Sequence, residues 1–481
     1  MISQRTPGPE NDHLGPWPGL GSRRGCPRYR VIVATEARTD PESPTRQGTR
    51  STPERDATTW LLLVGAGLAI TGIGVATGAT IGVGAAPFVG RYAWRVVPTT
   101  LLAPAVATGV LLAVRARWHE RIAWPRLLML GWLASFAWSV ALALVDGRHG
   151  LGGPIGNPHD YFVDVPSVDG DVHGFLGHFV ADADGYSPAT RQHPPGPVLL
   201  LWALTRMGID QPAVIGLVIA AIGAASVPLV AIAVRSLCHE PAARRLVPVL
   251  ALAPYAVWVA VSLDAVTMTL CAAGVMCAVI GSEPRRRLWW AAGAGVLLGV
   301  ATLFSYSAPW LTVTVMAVYF VRRRALLNVV TGLGALVPLL VISLAGFNWT
   351  DGLDAAQEDF SARIGPHRSW AWWIVLDLLV LLIAAGPTII PALRKLRRTP
   401  GWPFVVGAGL AVLFALVTGL SRGEVERSWL PYIPWLLVPA VAPERRPDRP
   451  GVVVAAATPL GLITVGAAAT LVLQAALRSH W

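Results

Sequence analysis

Seven residues of this sequence have the types and settings that chemistry needs: Asp146, Asp160, Arg191, His193, Asp264, Glu424 and Arg427. An ionised carboxylate can take a proton from a hydroxyl, and a well-placed general base contributes about 10² to 10⁴ in rate. Arg can hold a phosphate through two parallel hydrogen bonds. Asp146 directly follows the apolar stretch LASFAWSVALALV, so it stands at the end of a membrane span, within reach of a lipid-linked group. His193 opens an HPPG sequence two residues after Arg191. Two consecutive prolines end one helix and can start the next, which puts both side chains near a helix N-terminus, where an anion is favoured. Asp264 is flanked by apolar runs, where acids are costly and tend to be functional. GEVERSW, from Gly423 to Trp429, packs Glu424, Glu426 and Arg427 into one turn before another run. Plain alternatives stand beside each reading: an interfacial or N-cap Asp, a capping His, a self-satisfied Glu–Arg pair.

Most of these residues gather around one stretch, Asp146 to Pro195. It is long, polar and rich in Gly and Pro, with seven Asp, five His and no Glu. A loop of this length inside a compact protein is usually functional. Its Asp and His could hold a divalent metal, but no pair has a metal-site spacing, so no metal or cofactor is expected. The loop 346–370, with Arg363, His367, Arg368 and four acids, could bind an acceptor but reads better as solvated, and Asp377 reads as an acid inside a span.

The elements that must position these groups are membrane spans. Of 481 residues, 54 % are hydrophobic and only 14 % are charged, against about 25 % in a soluble domain. Fourteen apolar runs follow one another from residue 60 to 475. The short basic clusters between them are Arg115/Arg117/Arg121, Arg235/Arg244/Arg245, Arg285–Arg287, Arg322–Arg324, Arg394/Lys395/Arg397/Arg398 and Arg445/Arg446/Arg449. Short basic loops stay cytoplasmic. All six clusters fall inside only if the run 194–207, which opens with two prolines, does not span. The expectation is an all-α polytopic transmembrane protein of about 13 spans, with the loop 146–210 extracytoplasmic and carrying juxtamembrane helices. Arg91 and Arg95 are then left on the outer side.

The +11 net charge serves this topology and not nucleic-acid binding, which is excluded here. The four Cys (26, 238, 271, 277) show no CxxC spacing and read as buried thiols. Residues 1–56 are polar and aperiodic and read as a disordered cytoplasmic tail, preceding a membrane domain over 57–481.

The order of these features resembles the GT-C membrane glycosyltransferases that use polyprenyl-phosphate sugars, such as the protein O-mannosyltransferases and the lipid A aminoarabinose transferases. The likeness is strongest to actinobacterial integral membrane members. It is carried by Asp146 at the head of the loop, the Asp160–Tyr161 pair, His193-Pro194-Pro195-Gly196 before a short non-spanning helix, Asp264, and the GEVERSW turn. It covers roughly residues 126 to 440. The two spans at 60–114 are an addition to the family's pattern, and Asp146 is followed by Gly147 where relatives commonly have Glu.

The resemblance implies an inverting glycosyltransferase of the cell membrane. Its donor would be a sugar on a polyprenyl phosphate, and its acceptor a cell-envelope glycan, glycolipid or protein. Asp146, or else Asp160, would be the general base. Arg191, His193, Asp264, Glu424 and Arg427 would bind substrate. Two rivals remain: a transporter or flippase of a lipid-linked sugar, and a non-catalytic membrane scaffold.

Overall fold

The computed structural model describes residues 53–260, 262–284, 288–445 and 456–479, with the backbone of 30–32 and 452–454. The tail expected over 1–56 lies outside the described residues except for 30–32 and 53–56, and so do Cys26, Arg285–Arg287, Arg446 and Arg449.

The protein is an all-α, multi-pass membrane protein. Among the described residues six helices are long and apolar enough to cross a bilayer: Pro53–Ala76, Pro98–Arg115, Trp124–Asp146, Pro212–Cys238, Asp264–Gly281 and Leu327–Leu344. Two further pairs qualify if each is one span. Trp349–His367 meets Trp370–Ala385 at 98°, and Ile389–Arg398 meets Trp402–Thr418 at 119°. Shorter apolar helices follow at Trp289–Thr302, Trp310–Val321 and Leu460–Ala476. By length and apolarity, then, the count runs from six to eight and stays below the thirteen expected. Prolines account for much of the difference. The run 246–260 breaks into Glu240–Ala251, which contains Pro248, and a 3₁₀ turn opening at Pro254. The run 429–442 becomes Ile433–Leu436 and Val438–Val441, each with a proline in its first turn. Proline removes an N–H and clashes with the preceding turn, which favours a break in these two runs, although Leu327–Leu344 accommodates Pro338 in its interior.

In a bilayer the apolar effect does not drive helices together, and close backbone packing between small residues takes its place. Helix Trp289–Thr302 shows this against Leu327–Leu344. A Cβ on Gly295 would strike the Thr331 carbonyl, one on Gly299 the Ala335 carbonyl, and one on Gly334 the Ala292 carbonyl. The deepest side chains are large aromatics, among them Trp138, Trp258, Trp373, Trp435 and Tyr255.

The loop after Asp146 is not structureless. It folds into short helical pieces at Arg148–Gly152, Tyr161–Val168, Val172–His178 and Pro188–Arg191. The rings of Phe175, Phe179 and Tyr186 pack edge-on or tilted against one another, and Phe179 meets Phe347 edge-on at 5.3 Å. The backbone N–H of Ser187 donates to Asp164 Oδ2 at 3.0 Å. The helix after the HPPG sequence, Gly196–Arg206, packs on Tyr161–Val168 and is too short to span. Strand pairing is slight. Gly90–Tyr92 pairs antiparallel with Leu477–Ser479, and Val452–Val454 lies between a parallel Arg30–Ile32 and an antiparallel Glu444–Arg445.

Gly295→Ala should lower the thermal midpoint of the detergent-solubilised protein, since overpacking costs about 1–3 kcal/mol. Gly65→Ala, whose new Cβ meets nothing within 4 Å, should not. Equal midpoints for the two would contradict the packing described here.

Candidate active site

The site assembles where the loop after Asp146 meets two turns at the same end of the bundle. Its first part is HPPG. Gly196 donates its N–H to the Leu303 carbonyl at 2.9 Å, and any Cβ there would collide with that carbonyl. Only glycine lets the loop dock so closely beside the Ser305–Ser307 turn. His193 is thereby held with its Nδ1 2.9 Å from the Ala189 carbonyl oxygen. A carbonyl only accepts, so Nδ1 carries the hydrogen and Nε2 is left to interact elsewhere. The ring of Tyr161 meets that of His193 edge-on at 5.5 Å.

Asp160 caps the turn that begins at Tyr161, accepting the Tyr161 N–H at 2.7 Å, and is buried. Asp264 opens helix Asp264–Gly281. It is buried and accepts the Ser262 hydroxyl at 2.8 Å. The third part is the turn at 421–427. Gly423 and Glu424 both have positive φ, +100° and +61°, a conformation that needs outside support at a non-glycine residue. The support is visible. Gly423 donates its N–H to Asp377 Oδ1 at 3.1 Å, and Arg422 donates to the carbonyls of Gly365, Arg368 and Gly419. The turn presents Glu424 and buried Arg427, paired at 2.9 Å.

Burial decides the protonation of these groups. It pushes Asp160 up to about 6, against the pull of Arg427. It lowers His193, against the raising effect of Asp264, and raises Tyr161. Burial alone would lower Arg427, but Glu424, Tyr161, Asp264 and Asp160 together reverse this and raise it. These mutual influences show that Asp160, Tyr161, His193, Asp264, Glu424 and Arg427 share one electrostatic neighbourhood. Glu426, wholly buried and without a hydrogen-bond partner beyond its own backbone amide, is pushed up to about 8 by burial and is held as a neutral acid at pH 7. His193, Glu424 and Arg427 line a cavity of about 570 Å³, with Tyr306, Trp310, Trp349 and Tyr432 among its aromatic walls.

Asp160 and Asp264 belong to this neighbourhood without lining the cavity, and two further expected residues stand apart from both. Asp146 forms an ion pair with Arg95, whose guanidinium also donates to the carbonyls of Gln474 and Leu477, and it does not line the cavity. Arg95, left unexplained on the outer side in the sequence, has its partner here. Arg191 pairs with Asp359 at 3.0 Å and donates to the Tyr186 carbonyl at 2.8 Å. It fastens the loop to helix Trp349–Asp359 and is not among the cavity's lining residues. Arg368, read from sequence as part of a solvated loop, does line it, together with Arg422 and Arg427. Its signal was faint, one Arg before a Trp-rich run. Among the described residues no three His, Cys, Asp or Glu side chains gather as metal ligands would.

Residues 192–346 match the family described as dolichyl-phosphate-mannose-protein mannosyltransferase. Over this segment the chain is similar to the GT-C mannosyltransferases. Two solved structures of ArnT from Cupriavidus metallidurans are also similar. One, bound to undecaprenyl phosphate, is 18 % identical with a TM-score of 0.38, over 52 % of this chain and 49 % of that one. The other, in the apo state, is 17 % identical with a TM-score of 0.41, over 65 % and 59 %. The chain thus spans about half to three fifths of the ArnT chains it matches, and at such TM-scores the likeness adds no weight to the family match. No curated protein matches the chain. His193, the Gly196 docking contact and Asp264 lie inside the matched segment, whereas Asp160 and the 421–427 turn lie outside it.

Asp377→Ala leaves the Gly423 N–H buried without its acceptor, a loss of about 1–3 kcal/mol. The thermal midpoint should fall accordingly, and an unchanged midpoint would mean that the turn is held by other contacts.

Proposed function

We propose that this protein transfers a sugar from a polyprenyl-phosphate donor to a hydroxyl of a cell-envelope glycan, glycolipid or protein, at the extracytoplasmic face of the membrane. The observation that carries this reading is the convergence of a buried carboxylate, Asp160, with His193 and buried Arg427, of which His193 and Arg427 line a cavity, on a chain whose central segment matches the mannosyltransferase family. Asp160 takes the proton from the acceptor hydroxyl. The oxygen attacks the anomeric carbon, and the bond to the lipid phosphate breaks. Arg427 and His193 stabilise the charge on the departing phosphate, in surroundings dry enough to strengthen that interaction. One displacement inverts the anomeric centre. Asp264 and Glu424 hold Arg427 charged and in place.

The base is assigned to Asp160 and not to Asp146, because the Asp146 carboxylate is engaged by Arg95, whereas Asp160, though not itself among the cavity's lining residues, lies in the field of Arg427, which lines it. The transport reading leaned on Asp377 as the acid inside a span, but that carboxylate serves Gly423. The extracytoplasmic placement of the loop, with the N-terminus in the cytoplasm, follows from the basic clusters between the apolar runs.

A membrane transfer assay with radiolabelled polyprenyl-phosphate mannose tests this. Asp160→Asn should lower transfer by about 10² to 10⁴, whereas Asp146→Asn should retain most of it. The reverse ranking would return the base to Asp146. Loss of transfer in neither variant would remove both from the base role.

The pH profile is a separate check. The active form of the base is the carboxylate, and burial raises its pKa, so protonation sets in at higher pH than for an ordinary Asp. Transfer should therefore decline as pH falls through about 6. A rate that holds steady down to pH 4.5 would exclude Asp160 as the base.

A further inference from the structure

We propose that the connection between the first two spans, residues 77–97, braces the candidate active site by fixing Arg368, and through Arg368 the 421–427 turn. Those two spans are the addition that sets this chain apart from the family's pattern, and the brace is a use for them.

Arg368 sits at the 98° bend between Trp349–His367 and Trp370–Ala385. On one side of the bend lies the strand of backbone at Thr80–Gly82. Ser369 donates its N–H to the Thr80 carbonyl at 2.8 Å. Trp373 donates its indole N–H to the Ile81 carbonyl at 3.1 Å. Gly82 has φ +70°, and a Cβ there would strike the His367 carbonyl and press on Arg368 Cγ at 3.2 Å. Three successive residues of the connection thus grip the bend.

On its other side Arg368 reaches the turn. Its Nη1 donates to the Arg422 carbonyl at 2.5 Å, its Nη2 lies 4.0 Å from Glu424, and its guanidinium lies over the Trp373 ring at 5.4 Å. Gly423 leaves room for this, since a Cβ there would come 2.9 Å from Arg368 Nη1. One side chain therefore joins the 77–97 connection to the turn that presents Glu424 and Arg427.

The join has an electrostatic side. Glu424 lies between Arg427 at 2.9 Å and Arg368 at 4.0 Å. A second cation drawing on Glu424 leaves more of the Arg427 field for an anionic ligand in the cavity. This part rests on the proposed phosphate donor. The brace itself does not.

The test uses the full-length protein in detergent. Limited trypsinolysis is followed by mass spectrometry at the bond after Arg422, with the bond after Arg235 as an internal reference. Gly82→Ala and Arg368→Met should each raise cleavage after Arg422 by about tenfold, by loosening the turn, with Arg235 cleavage unchanged. Gly65→Ala, on the first span and free of neighbours, should leave both sites as in wild type. Cleavage after Arg422 no faster in either variant overturns the brace, whether or not the protein transfers mannose. In the transfer assay, Arg368→Met should raise the donor KM about tenfold while kcat changes little, the pattern of lost binding common to ground and transition states. An unchanged KM overturns the electrostatic part. A wild-type protein inactive on every polyprenyl-phosphate sugar counts against the proposed function, and the proteolysis result still decides the brace.

Discussion

The structure around the cavity depends on keeping the charge of one buried guanidinium, Arg427. A lone buried cation is prohibitively costly, and it persists only where opposite charge surrounds it. Here Glu424 pairs with it directly, and Asp160 and Asp264 lie close enough to raise its pKa. Those partners come from three separate parts of the chain: the loop after Asp146, the head of helix Asp264–Gly281, and the 421–427 turn. The charge balance therefore fixes how the three parts meet.

That balance explains why the site uses strained backbone. Glu424 reaches Arg427 from a left-handed conformation, with Gly423 before it also at positive φ. Such a turn persists when its surroundings over-determine it. Asp377 takes the Gly423 amide from within the neighbouring helix, and Arg422 ties three carbonyls together. A polar group inside a span is expensive, and here it supports the turn from beneath. Glu426, in the same turn, avoids a second uncompensated charge by remaining protonated.

The same dryness suits the proposed chemistry. A carboxylate raised toward neutrality is a stronger base than an ordinary Asp and is still largely ionised at pH 7. A permanently charged Arg in low dielectric stabilises a departing phosphate more than it would in water. Both properties come from burial, which is why the helical pieces that pack the loop shut matter as much as the charged groups themselves.

Membrane class was determined by composition and by the apolar runs, because the bilayer demands long uncharged helices whatever their arrangement. The non-spanning helix after HPPG was readable from its length and its prolines. His193, Asp264, Glu424 and Arg427 were readable because so few charged groups interrupt the apolar runs that each one stands out. Spacing along the chain says nothing of which outer groups meet. Asp146 and Arg191 have the right types at favourable positions, yet Arg95 and Asp359, 51 and 168 residues away in sequence, claim them. Arg368 looked like a solvated loop residue, and only the bend at 368 and the glycines at 82 and 423 turn it inward. The sequence by itself determined the membrane architecture and the stock of charged groups at its edge. Tertiary structure decided which of them share one buried electrostatic neighbourhood and which are neutralised elsewhere, because pairing between buried charges depends on distance in space and not on separation along the chain.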